Sequence, residues 1–352
     1  MTHHSYVPMD IEKRVEYVVR NTEEIVTEEE LRSLFEEKDK PTAYIGDAPT
    51  GKMHTGHFIT HRKIADFLRA DFEFTVLLAD LHAHLDDLKS PFDLLDARSE
   101  YYKECIKGMM DATGVDWNDL NFVQGSEFEL EEDYILNVLK MAADTTLNRC
   151  KRAAAEVVRY GGNPKLGGFL YPLLQTQDVF ALDADVAYGG IDQRGIYMLS
   201  REVLPDLGYK KPICVFAPLL TGLTGGKMSA SVKGSKIDLL DEPETIRDKV
   251  MDAYCPAGEK KDNGILEHLE MLIMPILDSK GKDFVIERPE KWGGDLVYSD
   301  YDEVEEDFLN EQLHPQDLKE AVAEELASIL KPIRDRFEDK QDLLERAYPD
   351  RD

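Results

Sequence analysis

The sequence predicts an α/β fold, in which a doubly wound parallel sheet is followed by a second, mostly α-helical domain. Short segments rich in β-branched and aromatic residues alternate with longer segments that carry apolar residues at helical spacing. Glycine-containing turns follow two of the short segments, at 46–51 and 189–190. After residue 240 only the helical spacing recurs. Such alternation is typical of parallel strands joined by right-handed crossover helices.

The individual elements are predicted from the same patterns. Residues 1–40 are expected to be helical, with Thr27 and Glu30 forming a capping box. About five parallel strands are predicted, at 42–45, 72–78, 121–124, 185–187 and 213–216. Helices are predicted at 58–68, 91–112 and 130–158 and after Pro172. Later helices are expected to begin near 242, 265, 301 and 314, and Pro332 to bend or break the last. The predicted domains are 1–223 and 241–352, joined by a loop at 224–240.

Length and cysteine content indicate an ordinary protein of the cytoplasm. A chain of 352 residues is long enough for two domains that each bury a core. Its N-terminus shows no signal-peptide pattern, and no segment has the apolar length of a membrane-spanning helix. We therefore expect a cytoplasmic protein with no membrane contact. The cysteines have no C-x-x-C spacing and are expected to be free thiols: Cys105, Cys150, Cys214 and Cys255.

The charge balance is strongly acidic, with a formal net charge of -29 at pH 7. At ordinary ionic strength such a field repels a polyanion such as RNA. At molar salt, however, the Debye length shrinks to about 3 Å and only local contacts count. An acidic surface without acidic low-complexity tracts therefore favours a salt-adapted protein. On composition alone, an ordinary acidic enzyme without a nucleic-acid partner is the open alternative.

The segment 44–57 has the pattern of a strand, a loop and a helix start. His54 and His57 flank the start of the predicted helix, where unpaired N–H groups and the positive end of the helix dipole favour an anion. The pattern therefore predicts a nucleotide phosphate site. The alternative is that the two imidazoles only cap the helix.

Further pocket candidates follow other predicted strands. Leu78, Asp80 and His82 lie at the end of the strand 72–78, where open α/β sheets bind ligands, although a capped strand end with a structural aspartate explains them as well. Two glycines at 189–190 allow close backbone approach, and Asp192 just after them can accept from ribose hydroxyls.

The helix predicted after Pro172 places polar side chains on an apolar face. Tyr171, Gln175 and Asp178 follow each other at helical spacing. Polar groups in such a place need partners from the core or from a ligand. A ligand with both polar and aromatic parts would supply them.

Two features could serve a nucleic acid. Arg149, Lys151, Arg152 and Arg159 form the densest basic cluster, which fits either contact with a phosphate backbone or a solvated helix face. Trp292 stands beside two glycines and could be a stacking platform or a core residue.

Two motifs together resemble the signatures of class I aminoacyl-tRNA synthetases. The first is His54-Thr55-Gly56-His57, and the second is the run Lys-Met-Ser-Ala-Ser at 227–231. The stretches Leu-Ala-Asp-Leu-His-Ala at 78–83, Tyr-Pro-Leu-Leu-Gln at 171–175 and Leu-His-Pro-Gln-Asp-Leu-Lys at 313–319 resemble the tyrosyl-tRNA synthetases of the archaeal and eukaryal type. The resemblance covers nearly the whole chain.

The resemblance implies a Rossmann-like catalytic domain, a mobile signature loop and a helical anticodon-binding domain within the boundaries given above. It implies that Tyr44 and Asp178 bind the phenolic hydroxyl of tyrosine, and that its α-amino group is held by Tyr171, Gln175 and Gln193. Catalytic roles are implied for four residues, namely His54, His57, Lys227 and Ser231. ATP contacts are implied for Gly46, His54, His57, Gly190, Asp192, Lys227 and Met228.

The same resemblance implies an RNA partner and a reaction. Arg194 would contact the acceptor stem of tRNA(Tyr), and Trp292, His314 and Asp317 would contact its anticodon. Gly195 departs from the expected pattern, in which a second basic residue follows Arg194. ATP is expected as a substrate, with Mg²⁺ bound to it; no prosthetic group and no metal held by the protein are expected, and the protein is expected to be a homodimer.

Three alternatives stay open at this point. A tryptophanyl-tRNA synthetase shares the fold and both signatures. Asp178 does not exclude it, because an indole N–H also needs an acceptor. Small nucleotidyltransferases share the first signature but lack the long α domain. A non-catalytic RNA-binding relative has no reason to keep His54, His57, Lys227 and Asp192 together.

Overall fold

The computed structural model describes residues 9–86, 90–225 and 234–349 and contains the predicted parallel sheet. Its strands are β1 Glu24–Val26, β2 Thr42–Asp47, β3 Glu73–Leu78, β4 Leu120–Gln124, β5 Val186–Gly190 and β6 Ile213–Ala217. Across the sheet the order is β1-β6-β5-β2-β3-β4, and β2 to β6 are parallel. The strand order changes direction between β2 and β5, because β3 and β4 follow on one side of β2 whereas β5 and β6 lie on the other. Ligands bind at such a switch point, beyond the carboxyl ends of the strands.

Helices fill the connections between these strands. In the first part of the chain they are α1 Ile11–Val19, α2 Glu28–Glu37, α3 Thr55–Arg69, α4 Asp80–Leu85, α5 Leu95–Thr113, α6 Glu132–Asp144, α7 Leu147–Ala153, α8 Gly167–Ala181 and α9 Arg194–Val203. Successive residues of the central strands join different hydrophobic clusters: Ala43 and Ile45 pack with α3, whereas Tyr44 packs with Tyr197 of α9. Both faces of the sheet are therefore buried, as in a doubly wound fold.

The prediction that residues 1–40 are helical is wrong for one segment. Between α1 and α2 the chain forms β1, which pairs antiparallel with β6 at the edge of the sheet. Three residues are too few to show an alternating pattern, and the strand exists because β6 offers it a partner. Thr27 caps α2 by accepting from the N–H of Glu30 at 3.2 Å, as predicted. The Glu30 carboxylate instead binds Arg201 at 2.8 Å, so the capping box is only half formed.

The helix predicted over 130–158 is also interrupted. Its residues form α6 and α7, because Thr145 is extended and Thr146 caps α7 by accepting from the N–H of Arg149 at 3.2 Å. Threonine competes for its own backbone in this way and favours helix starts over helix interiors. The break separates the two helices and turns Arg149 toward Glu202 of α9, at 2.9 Å.

The C-terminal part is mostly helical, as predicted, with a small hairpin in addition. The elements are α10 Pro243–Met251, α11 Gly264–His268, α12 Met274–Ser279, β7 Phe284–Ile286, β8 Leu296–Tyr298, α13 Tyr301–Leu309, α14 Pro315–Asp335 and α15 Gln341–Ala347. A π-helical turn at Leu269–Ile273 joins α11 to α12. Pro332 lies inside α14, which continues to Asp335, so of the predicted bend or break the break does not occur.

The two parts of the chain share one hydrophobic cluster. It runs from Val15 of α1 through the sheet to Tyr348 after α15. Helices α5 and α14 approach so closely that a Cβ at Gly108 would lie 2.7 Å from the Cα of Ile333. Tyr348 then donates to the carbonyl oxygen of Gly51 at 2.8 Å, in the loop between β2 and α3. Within the described ranges, none of the helices is long and apolar enough to cross a membrane.

Candidate active site

A cleft of about 440 Å³ opens at the switch point between β2 and β5. Because the carboxyl ends of parallel strands meet there, residues far apart in the sequence surround one space. Predicted site residues from β2, from α3 and its N-cap, from α8, and from the end of β5 and the segment after it line the cleft together: Tyr44, Gly46, His54, His57, Tyr171, Gln175, Asp178, Gly190, Asp192 and Gln193. The predictions Lys227, Met228 and Ser231 lie outside the described residues.

One end of the cleft is formed by the start of α3. His54 is its N-cap, and its Nδ1 accepts from the N–H of Gly56 at 3.2 Å. His57 accepts from the N–H of His54 at 3.1 Å, also through Nδ1, which completes a capping box built from two histidines. The two imidazoles therefore do cap the helix, as one interpretation of the sequence held, but only their Nδ1 atoms are used for it.

The capping bonds determine what the rest of each ring can do. Burial lowers the pKa of His54 to about 3, with Lys236 adding to the effect, and lowers the pKa of His57 well below its ordinary value. Both rings are therefore neutral near pH 7. A neutral imidazole that accepts through Nδ1 carries its proton on Nε2. The helix start thus combines backbone N–H groups with two Nε2–H donors, a set suited to phosphate oxygens.

The pKa of His61, one turn further along α3, is shifted in the opposite direction. Its Nδ1 lies 2.8 Å from the carbonyl oxygen of His57, and its Nε2 lies 2.7 Å from a carboxylate oxygen of Asp47. Burial opposes the charge, but Asp47 and the His57 carbonyl outweigh it and raise the pKa of His61. With an acceptor at each nitrogen, His61 holds the backbone at His57 against the end of β2.

The segment that follows the second signature is bound to the first signature. Thr55 donates its N–H to the carbonyl oxygen of Ile237 at 3.0 Å, and Leu239 donates to that of Met53 at 3.0 Å. His54 and Asp238 form an antiparallel bridge between these bonds. Residues 234–239 therefore lie beside the phosphate end of the cleft.

The other end of the cleft is a buried pocket around Asp178 of α8. One Asp178 oxygen accepts from the Tyr134 hydroxyl at 2.7 Å, and the other lies 3.6 Å from His82 Nε2. The buried Tyr44 hydroxyl has no hydrogen-bond partner among the described residues. Gln175 donates to Gln193 at 3.1 Å. A carboxylate and an unpaired phenol hydroxyl in one apolar pocket suit a ligand that carries a hydroxyl on an aromatic ring.

The acid–base balance of this pocket differs from that of the α3 end. Burial, followed by the charge of Glu129, raises the pKa of Asp178 to about 8, and His82 opposes the rise. Although burial lowers the pKa of His82, Glu129 and then Asp178 outweigh it and raise that pKa to about 9. The pocket therefore holds its charges in a tightly coupled group, away from water.

Comparison with known proteins identifies the family of this chain. A family model for class I tRNA synthetases of the W and Y type matches residues 36–331. The tyrosine–tRNA ligase of Haloarcula marismortui is 60% identical over 343 residues, which cover 97% of this chain and 99% of the relative. The corresponding ligase of Natronomonas pharaonis is 57% identical over 343 residues, with the same coverage. The chain belongs to the class I tyrosine–tRNA ligase family.

Solved structures of this family agree with the fold described above. The tyrosyl-tRNA synthetase of Archaeoglobus fulgidus, solved with L-tyrosine, superimposes with a TM-score of 0.87 at 46% identity, covering 93% of this chain and 99% of that one. A Plasmodium falciparum tryptophanyl-tRNA synthetase superimposes with a TM-score of 0.72 at 18% identity, which shows the shared fold alone. The predicted Rossmann-like fold and the synthetase resemblance are confirmed. The relatives from Haloarcula and Natronomonas fit the interpretation that the acidic composition is an adaptation to salt.

The four predicted RNA-contact residues lie apart from the cleft. Arg194 begins α9 and makes a two-point ion pair with Glu24 of β1, with one contact at 2.9 Å. Trp292, in the β7–β8 loop, is 66% exposed and is therefore not a core residue. His314 is the N-cap of α14, where its Nδ1 accepts from the N–H of Gln316 at 3.1 Å, and Asp317 lies in the first turn of that helix. Their roles in RNA binding stay predictions.

The structure explains why Gly195 replaces a basic residue. A Cβ at this position would lie 2.2 Å from the carbonyl oxygen of Ala153, at the end of α7. Glycine is required because α7 and α9 meet there, so the departure from the synthetase pattern is a matter of packing.

Some residues of the site were missed or misplaced from the sequence. His82 lines the cleft as expected for a strand end, whereas Asp80 and Leu78 do not: Asp80 accepts from the N–H of Ser126 at 2.9 Å and is structural. Glu129 and Tyr134 were not predicted at all. They come from an irregular turn and from α6, and only the folded chain brings them to Asp178.

Proposed function

We propose that this chain activates L-tyrosine with ATP, releasing pyrophosphate, and transfers the tyrosyl group to the 3′ end of tRNA(Tyr). The observation that carries the proposal is the cleft itself. It joins a helix start with two neutral histidines at one end to a buried pocket with Asp178 and the unpaired Tyr44 hydroxyl at the other. Its two ends fit a triphosphate and a phenol within one continuous space. Charging of tRNA is a step of protein synthesis, so the enzyme would act in the cytoplasm.

Adenylation depends on positioning of the substrates and on stabilisation of negative charge, and it requires no covalent intermediate with the protein. The tyrosine carboxylate attacks the α-phosphorus of ATP, and negative charge grows on phosphate oxygens as pyrophosphate leaves. N–H donors at the start of α3 and the Nε2–H groups of His54 and His57 would meet that charge without reorganising. Gly46, Gly190 and Asp192 line the part of the cleft that the nucleoside would occupy. Lys227, Met228 and Ser231 are proposed to complete the pyrophosphate end.

Mg²⁺ would enter with ATP. Of the cleft carboxylates, Asp47 lies nearest in sequence to the histidine pair, and it already accepts from His61 at 2.7 Å. A site with one engaged carboxylate fits an ion held mostly by phosphate oxygens and water. When bound, the ion would neutralise phosphate charge.

Selection of tyrosine would rest on hydrogen bonding in the buried pocket. Asp178 accepts from the phenol hydroxyl, and Tyr44 completes its contacts. Tyr171, Gln175 and Gln193 are proposed to hold the α-amino group. A site built for a hydroxyl rejects the analogue that lacks it by about 10⁴ to 10⁵, a value known for this enzyme family.

Transfer requires contacts with tRNA, and Arg194 is the proposed reader of the acceptor stem. In the structure its guanidinium is paired with Glu24 and half exposed. An exposed ion pair of this kind contributes only about 0 to 1 kcal/mol to stability, so exchanging the Glu24 carboxylate for an RNA phosphate would cost the fold little. Arg194→Gln is expected to lower kcat/KM for tRNA about tenfold while leaving tyrosine-dependent pyrophosphate exchange unchanged. Trp292, His314 and Asp317 are proposed to contact the anticodon.

An exposed apolar face favours a homodimer. Leu136 and Leu139 of α6 are 46% and 60% exposed, and Leu147 at the start of α7 is 63% exposed. Neighbouring exposed leucines on one helix are costly for a monomer and typical of an interface. Light scattering in molar KCl is expected to give twice the mass of one chain for the wild-type protein. For the Leu139→Glu variant it is expected to give the mass of one chain.

The deciding experiment is ATP–pyrophosphate exchange in molar KCl with tyrosine, tryptophan or phenylalanine. We expect exchange with tyrosine alone. Exchange with tryptophan would keep the fold and change the ligand of Asp178. A folded protein without exchange for any of the three would contradict the proposal and favour a non-catalytic RNA-binding relative.

A further inference from the structure

His82 lies between two buried carboxylates, and each of its ring nitrogens faces one of them. Nδ1 is 3.5 Å from a Glu129 oxygen, and Nε2 is 3.6 Å from an Asp178 oxygen. All three side chains are buried, with 1% of each residue exposed. Both His82 nitrogens and both Glu129 oxygens lack a hydrogen-bond partner among the described residues at ordinary distances. The contacts between them are therefore ion pairs that have no competing partner.

The position of the two carboxylates favours the charged form of the His82 ring. A neutral imidazole has one N–H and one lone pair, so one of the two carboxylates would face a lone pair. Only the imidazolium presents N–H on both sides. One ligand atom of each of the three side chains lies within 4.8 Å of the others, which is close enough to hold a metal ion, so bound metal is the alternative that the test must address.

The protein makes space for Glu129 and holds it there. A Cβ at Gly125 would lie 2.1 Å from a Glu129 oxygen, so only glycine leaves room for the carboxylate. Asp80, two residues before His82, accepts from the N–H of Ser126 at 2.9 Å and from the Gln124 side chain at 2.8 Å. The same residue thus fixes the turn that carries Glu129 relative to α4.

We propose that His82 and Glu129 are positioning residues for substrate selection: Glu129 holds the His82 imidazolium, whose other N–H favours the charged form of Asp178 and turns it toward the phenol pocket. The proposal rests on the proposed function, since it concerns how Asp178 meets the hydroxyl of tyrosine. Neither residue needs to touch the substrate. Both act through Asp178, with opposite signs, because His82 attracts its negative charge and Glu129 repels it.

The groups that face Asp178 come from several elements. Besides His82 on α4 and Glu129 in the turn after β4, they are Tyr134 on α6, Tyr44 on β2, Tyr197 on α9 and Tyr171 on α8 itself. The tyrosines have pKa values raised by burial and stay neutral in the working range. Among the groups that face Asp178, the pKa that lies between pH 6 and 9 is therefore that of His82, beside that of Asp178 itself.

The test is the pH dependence of KM for tyrosine in ATP–pyrophosphate exchange, for the full chain and for His82→Gln and Glu129→Gln. In the wild type, KM is expected to fall as pH rises through about 8, when Asp178 loses its proton. His82→Gln is expected to move that midpoint upward and to raise KM at pH 7 about 10- to 100-fold. Glu129→Gln is expected to move the midpoint downward. KM for ATP serves as the internal control and is expected to stay the same.

Opposite shifts in the two variants would support the proposal, whereas unchanged midpoints, or shifts in the same direction, would overturn it. If His82→Gln does not fold, the downward shift in Glu129→Gln decides alone. Elemental analysis of the purified protein is expected to find no bound metal; a stoichiometric divalent ion that is lost in Glu129→Gln would overturn the imidazolium assignment. Absence of any exchange in the wild type would instead count against the proposed function, so the two failures are distinguishable.

Discussion

At the α3 end of the cleft, the groups that face the ligand are backbone N–H groups and two neutral imidazoles; at the α8 end they are charged side chains closed off from water. His54 and His57 owe their neutrality to burial beside a positive helix end. His82 owes its charge to two carboxylates. The same side chain is thus a neutral donor at one end and a cation at the other. The difference shows that the surroundings, and not the residue type, set its chemistry.

The two ends also differ in how the chain builds them. The α3 end comes from one continuous stretch, because a helix start supplies its donors locally. The α8 end draws on strands, helices and a turn that are separated by more than a hundred residues, and it exists only once the sheet has formed. A substitution can therefore damage one end and spare the other.

The largest effect is expected for Asp178→Asn, which breaks the α8 end alone. The amide keeps the shape but removes the charged acceptor. Discrimination between tyrosine and phenylalanine in pyrophosphate exchange is expected to fall about 100-fold or more, with KM for ATP unchanged. Asp66→Asn is the matched control, since it changes a buried aspartate of α3 that binds Arg20 outside the cleft and should lower stability but keep discrimination. An unaltered preference for tyrosine in Asp178→Asn would remove Asp178 from the recognition of the hydroxyl.

The second largest effect is expected for a substitution at the α3 end, His54→Asn. His54→Asn keeps a good N-cap but removes the Nε2–H donor. Exchange is expected to slow about 100-fold, because one preorganised donor to the phosphates is lost. Tyrosine binding, measured by calorimetry without ATP, should be unchanged, and so should the melting temperature. Loss of exchange together with a large drop in melting temperature would mean that capping is the main role of His54.

The dependence of stability on pH sharpens the comparison. The depressed pKa values of His54 and His57 mean that the unfolded chain binds more protons below pH 6.5, so their contribution to stability is lost as pH falls. The raised pKa of His82, about 9, has the opposite sign, and its contribution is lost as pH rises from 6.5 through 9. Urea unfolding in molar KCl should show the acid loss reduced in His54→Asn and the alkaline loss reduced in His82→Gln, by about 1 kcal/mol per pH unit. Identical slopes in wild type and variants would refute both assignments.

The smallest effect is expected for Tyr134→Phe. It removes the hydroxyl that donates to Asp178 at 2.7 Å, and KM for tyrosine should rise about 3- to 10-fold. Tyr298→Phe is the control, because it removes a similar hydroxyl–carboxylate bond, to Asp307 at 2.9 Å, in the C-terminal part. Equal kinetic effects in the two variants would point to general loosening of the structure.

The sequence predicted the parts of the molecule that depend on local pattern, such as the α3 end, better than the parts that depend on distant contacts, such as the α8 end. The five parallel strands, the α3 end and the polar face of α8 were found because each depends on local pattern. Glu129 was missed because it lies in a turn without periodicity, and its partner His82 is 47 residues away in the chain. The α6–α7 break was missed because a threonine cap outweighs a continuous helical pattern. Gly195 departs from the family pattern because the carbonyl oxygen of Ala153, which is distant in the sequence, leaves no room for a Cβ.

The short strand β1 has a consequence for handling the protein. It covers β6, whose five residues are all buried and almost entirely apolar. An uncovered strand of that kind is a template for edge-to-edge association with other chains. A truncated chain that starts at residue 28 is therefore expected to aggregate, which light scattering in molar KCl would detect.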